Sequence, residues 1–245
     1  MRFLMGLLVV IVALWSAGQD PECLEQAEAL RKLQNELVHK SFEKLQPGAW
    51  GLYEKGKAVY LGKMRSPFTG KTHHVAQVIS KSGTVNEFWY DLDTKYVTFE
   101  GKRYPFRYLH LKEGYVSTKH GAFYIPESVI DFYLKSRGEL ISPILVGVPS
   151  PKPDCENRVR LKRVRIKLPS GKRIDGVEIK SLKNGATLYV STEVPFGIVD
   201  QMIDFGWSGG EKAILTPKMR KNAQNILNFT IPAVQMPAIP QGVEP

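Results

Sequence analysis

The chain has 245 residues, with 34 Lys and Arg against 24 Asp and Glu, 43% apolar residues and two cysteines. That balance excludes an intrinsically disordered chain, a collagen-like repeat and a disulfide-dense miniprotein. The length suits one large β-rich domain or two small ones, each able to bury a core without staples.

Met1 and Arg2 precede an apolar run from Phe3 to Trp15 and the small residues Ser16, Ala17 and Gly18. This is the order of charged, apolar and cleavage regions in an export signal, spanning residues 1–18. Cutting after Gly18 puts Ser16 at the minus-three position and predicts a mature start at Gln19, in the periplasm or cell envelope. An uncleaved anchor is the other reading, although the run is shorter than the roughly 20 residues a bilayer span needs. Leu24, Ala27, Leu30, Leu33, Leu37 and Leu45 then recur at helical steps between Pro21 and Pro47-Gly48, which predicts an amphipathic helix from Pro21 to Leu45 within residues 19–46. Export also permits Cys23 and Cys155 to pair, and loop-closure entropy puts the gain from so long a loop at about 4 to 5 kcal/mol. Two free buried thiols are the alternative.

From Trp50 onward, short runs of Val, Ile, Tyr and Phe are punctuated by Gly56, Gly62, Gly70, Gly83, Gly101, Gly114 and Gly121. Hairpin-length gaps of that kind predict antiparallel sheet rather than alternating βα units, over residues 47–230. A second helix is expected from Pro126 to Lys135. The three prolines of Val148–Pro153 remove ladder donors and mark a connection. Strands resume from Arg158 to about Ile203, Pro217 opens a short helix ending near Leu227, and the Pro-rich tail of residues 231–245 reads as extended or disordered. One continuous sheet is expected, because a Cys23–Cys155 bridge would tie across the linker.

Several motifs resemble chemistry and fail on their surroundings. Gly206-Trp207-Ser208-Gly209-Gly210 fits a nucleophile elbow, but the last histidine is His120 and no Asp follows Asp204, so the acid and base that must come after the serine are missing. Gly70-Lys71-Thr72 resembles the end of a phosphate-binding loop whose first glycine is replaced by Arg65. His73 and His74 are neighbours in a strand and point to opposite faces, so they cannot chelate one ion together. His39, His110 and His120 have no carboxylate or Cys at a recognisable ligand spacing. Asp91-Leu92-Asp93 reads as a polar turn between Tyr90 and Tyr96. No catalytic residue, metal ligand or cofactor is predicted, and the chain reads as a non-enzyme.

Two features stand out. Arg158, Arg160, Lys162, Arg163, Arg165, Lys167, Lys172 and Arg173 occur without an intervening acid and carry +8 of the formal +10. Val159 and Leu161 hold one alternation while Val164, Ile166 and Leu168 hold the other, which predicts a β-bulge at Lys162-Arg163 that keeps both apolar sets on the core. The stripe from Arg158 to Arg173, with Arg158 to Lys167 as its contact residues, suits docking to an anionic surface such as lipid headgroups or a cell-envelope polymer, or equally a solvated strand face. Nucleic acid is disfavoured by export and by the lack of interleaved aromatics. The second feature is aromatic: thirteen of the 25 aromatics lie between Phe88 and Tyr133, and Tyr104, Phe106, Tyr108 and His110 share one face of a strand. Such a face either packs as ordinary core or lines a partly wet apolar cavity.

Pro47-Gly48-Ala49-Trp50-Gly51-Leu52-Tyr53 resembles the Gly-x-Trp-x-x-Tyr opening of the first strand in a group of exported bacterial proteins. Leu188-Tyr189-Val190-Ser191-Thr192-Glu193-Val194-Pro195-Phe196-Gly197-Ile198-Val199 is similar to a later strand of the same group, which runs into a Val-Pro-x-Gly turn. These proteins resemble the outer-membrane lipoprotein carriers in fold. The resemblance implies a mostly β (α+β) architecture, a curved antiparallel half-barrel whose concave apolar side is covered by helices and accepts acyl chains. The function it implies is exported, non-enzymatic holding of a lipophilic ligand, as a lipid or lipoprotein carrier or sensor, with Tyr104, Phe106, Tyr108 and His110 on the cavity wall. The alternative is a structural or protein-interaction module of the envelope whose interior is filled by its own side chains. Nothing in the sequence sets the oligomeric state.

Overall fold

A computed structural model of the chain describes residues 21–99, 102–119, 121–131, 158–207 and 214–228. The export signal, the Val148–Pro153 connection, Cys155, the end of the expected second helix, Ser208–Gly210 and the Pro-rich tail lie outside the described residues. Helix α1 (Pro21–Val38) starts on a proline, where a missing N–H costs nothing, with Glu22 in its first turn. It continues into a π-helical turn, His39–Glu43. Leu37 and Val38 at the end of α1 are followed by Phe42 in the turn and Leu45 just after it, all at most 7% exposed, so the predicted stripe is extended rather than broken.

Strands β1 (Trp50–Tyr53), β2 (Gly56–Arg65), β3 (Thr72–Ser80), β4 (Val85–Phe99), β5 (Lys102–Thr118) and β6 (Gly121–Pro126) follow, and residues 127–131 form a helical turn. Beyond the undescribed segment come β7 (Val159–Lys167), β8 (Arg173–Ser181), β9 (Thr187–Val190) and β10 (Met202–Gly206), then helix α2 (Pro217–Lys221) and the two-residue β11 (Gln224–Asn225). The fold is mostly β with a curved, open, half-barrel-like sheet.

The strands form two sheets, not the single one expected: β10-β1-β2-β3-β4-β5-β6-β11 and β7-β8-β9. The reason is α1. Its apolar side is enclosed by Ala58, Tyr60, Ala76, Tyr90, Leu109 and Leu111 of the large sheet together with Val159, Leu161, Val177, Ile179, Leu188 and Val190 of the small one. A single sheet would leave half of that stripe in water. The large sheet's outer face carries a second core, in which Val75, Val85, Trp89, Tyr115 and Tyr124 pack under Leu215, Met219 and Ala223 of the C-terminal segment.

Two local expectations are corrected. Asp91-Leu92-Asp93 lies inside β4 and not in a turn: β4 pairs with β5 through Phe99↔Lys102, with Asp91 opposite His110 and Asp93 opposite Tyr108. Cross-strand partners for both acids outweigh their weak strand propensity. Nor does β7 bulge. Its register with β8 runs unbroken from Val159↔Ser181 to Lys167↔Arg173. The phase slip has another cause, since the two halves of β7 bury opposite faces. Val159 and Leu161 turn toward α1, whereas Ile166 and Leu168 turn the other way, onto a third core with Ile174, Val194, Val199 and Met202.

Candidate functional site

Because β7 changes core half-way, its cations are divided between two faces. Arg160 and Lys162 share the side of Val164 and Ile166, while Arg163, Arg165 and Lys167 share the side of Val159 and Leu161. All five are exposed. Arg165 stands 4.0 Å from Asp175, and Arg158 stands 3.9 Å from Glu22 at the start of α1. No carboxylate among the described residues is within ion-pair range of Arg160, Lys162, Arg163 or Lys167. The stripe read from the sequence is thus a rim along one strand, with charge on both sides.

β7 is also an edge: among the described residues it pairs with β8 alone. Every second residue of such a strand turns its N–H and C=O away from the ladder. An open groove of ≈ 520 Å³ runs beside its second half, lined by the consecutive residues Val164 to Pro169, by Glu178 and Tyr189, and by Val199 to Met202. Its far wall is fixed by an unusual turn. Gln201 holds φ at 57°, a left-handed value rare outside glycine, and its carbonyl accepts from the Glu54 N–H at 2.9 Å. The two acids beside the floor are occupied: the Tyr189 hydroxyl donates to Glu178 at 3.1 Å, and the Tyr189 N–H donates to Asp200 at 3.0 Å. Burial pushes the Asp200 carboxyl above its ordinary range, against that backbone bond.

A second constellation, on the outer face of the large sheet, is built from residues that the sequence reading passed over. Glu87 is 1% exposed and accepts from both Nε and Nη2 of Arg220 at 2.7 Å, from the Trp89 indole at 2.7 Å and from Gln77 at 2.6 Å. Gln77 in turn accepts from the Ile214 N–H at 3.1 Å. Next to it Glu113, also 1% exposed, accepts from the Ser66 and Thr69 hydroxyls at 2.7 and 2.6 Å. The remaining acceptor bonds pin covering segments, the β2–β3 loop through Ser66 and Thr69 and the C-terminal segment through Arg220 and Ile214. The available signal was Gln77 and Glu87 standing at the buried alternation of Val75, Val85 and Trp89.

His73 and His74 do face opposite ways. His73, 5% exposed, lies between Asp91 at 2.9 Å on Nδ1 and Glu113 at 3.8 Å on Nε2. An Asp–His pair activates a hydroxyl from the second nitrogen; here that nitrogen faces a carboxylate inside a packed layer. His74 is stacked on Tyr60 and Tyr90 in the inner core, with Tyr60 Oη 2.8 Å from its Nδ1. Burial, reinforced by Lys63, lowers its pKa.

Tyr104, Phe106, Tyr108 and His110 share one side of β5, and the inner core takes the other side through Leu109 and Leu111. Their neighbours are charged. His110 is 2.7 Å from Asp93 and 3.0 Å from Glu127, Lys112 reaches Glu127 at 2.9 Å, and the Arg31 guanidinium lies 4.8 Å over the Tyr104 ring. Burial, followed by Asp93, raises the Tyr108 hydroxyl pKa. Cys23 is buried at 3% exposure, and no cysteine among the described residues is free; Cys155 lies outside them. Among the described residues no group of three or more His, Cys, Asp or Glu is arranged to hold a metal ion, and no helix is long and apolar enough to cross a membrane.

No family model, curated protein or solved structure matches the chain.

Proposed function

We propose that the chain is an exported, non-enzymatic interaction module of the cell envelope, whose half-barrel interior is filled by its own helix. The observation that carries this reading is the placing of α1. Leu37 and Val38 are 0% and 1% exposed between the two sheets. Polar bonds hold the helix in register beside them. Asn35 donates to the Pro105 carbonyl at 3.0 Å and accepts the Arg107 N–H at 2.8 Å, and Gln34 donates to the Arg107 carbonyl at 3.3 Å. These bonds fall on the part of β5 that β6 does not reach, so the helix also caps a sheet edge that would otherwise recruit strands. In the lipophilic-ligand reading the acyl chain takes this same interior, and α1 must leave it. Burial of CH₂ groups at about 0.8 kcal/mol each would then have to offset both the helix's apolar contacts and its bonds to β5.

Mass spectrometry of an organic extract, from protein purified without detergent, tests the choice. The module reading expects an empty extract and no rise in melting temperature with added fatty acid or phospholipid. A stoichiometric lipid overturns it in favour of a carrier or sensor. Export and the Cys23–Cys155 pairing belong to the same reading. Peptide mapping without reductant should recover the two cysteines as one linked peptide pair, and two free thiols from the native compartment would remove the pairing.

A further inference from the structure

We infer that the outer edge of β7, from Lys162 to Lys167, accepts an extended acidic segment of a partner protein as an added strand. This rests on the interaction-module reading and names the chemistry of the partner. Three observations carry it: the strand's outer edge pairs with nothing among the described residues, the ≈ 520 Å³ groove opens over the sheet face that carries Val164 and Ile166, and its cations alternate to both faces.

The third observation selects the occupant. A planar array of lipid headgroups meets one face of a strand, so it cannot engage Lys162 on one side and Arg163, Arg165 and Lys167 on the other at the same time. A strand laid edge to edge can, because its own side chains alternate in step. A second copy of the same edge is rejected by its charge, since cations would face cations. That is how an exposed edge avoids self-pairing. An acidic strand satisfies the same groups.

Pairing also fixes the order of side chains. Residues opposite Lys162, Arg163, Arg165 and Lys167 are acidic. Those opposite Val164 and Ile166 are apolar and enter the groove over Val164, Ile166, Val199 and Met202. On the groove side the partner presents its two apolar residues and one acid, the one opposite Lys162; Glu178, which stands across the ladder from Lys162, and Asp200 are both already hydrogen-bonded to Tyr189 there. Because the small sheet is antiparallel throughout, the recognised segment reads Glu-Val-Glu-Val-Glu-Glu over about 20 Å of strand.

The test uses the full mature chain and a fluorescent peptide of that sequence. Saturable binding is expected, weakening with salt because the rim charges are screened. The Arg163→Glu, Arg165→Glu double variant should lower affinity by about tenfold or more without changing the melting temperature. The same peptide N-methylated at alternate residues keeps its charge and loses its ladder donors, so its binding should fall to background. Equal binding of the methylated peptide overturns strand addition. So does absent peptide binding, with or without attachment to equimolar phosphatidylcholine and phosphatidylglycerol vesicles; attachment to the vesicles alone would place a lipid surface on the rim. An empty lipid extract with no peptide binding removes this inference and leaves the module reading standing. A loaded extract removes the module reading whatever the peptide does.

Discussion

The outer face of the large sheet and the rim of the small sheet both concentrate charge, and they use it in opposite ways. Under the C-terminal segment, Glu87 and Arg220 are 1% and 2% exposed side chains that meet in a two-point ion pair, with Trp89 and Gln77 completing the carboxylate's shell. Along β7 the cations stand in water, and among the described residues a single carboxylate, Asp175, lies at the limit of ion-pair range. The difference teaches where a charge is structural. Desolvated charges must be matched group by group or the fold loses several kcal/mol, whereas solvated ones cost little to keep and little to remove. Conservation of the fold therefore constrains the first region, and the second is left open to recognition.

The most damaging way to break this contrast is Arg220→Met. It strands Glu87 as a buried carboxylate without its cation, and the expected loss is about 3 to 5 kcal/mol, read as a lower urea midpoint. The C-terminal segment should detach first, so proteolysis near Leu215 is expected to precede global unfolding. An unchanged midpoint would mean that Glu87 is satisfied by Trp89 and Gln77 alone.

An intermediate effect is expected from His74, half-buried on the inner face. Its folded pKa lies below the ordinary 6.5 because burial disfavours the imidazolium. Between that lowered value and 6.5 the unfolded chain binds more protons than the folded one. The stability His74 contributes is therefore complete above pH 6.5 and is lost as pH falls through the folded value. Melting temperature should drop over that window, and His74→Phe, which keeps a ring between Tyr60 and Tyr90, should flatten the drop. Glu43 and Glu127 do not interfere. His39 above all holds Glu43 below the usual carboxylate range, while Lys112 and His110 outweigh burial at Glu127, so both act only at more acidic pH.

The smallest effect sharpens the comparison from the other side. Arg163→Gln and Lys167→Gln should each change stability by less than about 0.5 kcal/mol, measured as a urea midpoint. A loss above 1 kcal/mol, roughly the most an exposed pair supplies, would show that the rim is structural and would remove the contrast.

Much of the architecture was legible in local pattern. The leucine spacing of α1, the antiparallel β character and the opposed directions of His73 and His74 follow from periods of 3.6 and 2, which the backbone imposes on any chain. The apolar phase slip in β7 was legible as well, but its cause was not. A bulge and a change of core give the same string of residues, and only the position of α1 against Val159 and Leu161 and of Met202 against Leu168 distinguishes them. Gln77 and Glu87 carried a faint mark, polar residues in a buried phase. Arg220, 133 positions beyond Glu87, carried none, because an ion pair leaves no local pattern in either partner.

By itself, then, the sequence determined the antiparallel β character, the apolar stripe of the helix and the amount of charge between Arg158 and Arg173, since each depends on neighbours within a few residues. Tertiary structure alone decided that there are two sheets, that Asp91 and Asp93 sit inside a strand, that the β7 cations split between two faces, and that Glu87 meets Arg220. Those outcomes turn on which surfaces are left to bury once the helix has taken its place, and that is a property of the packed chain rather than of any segment in it.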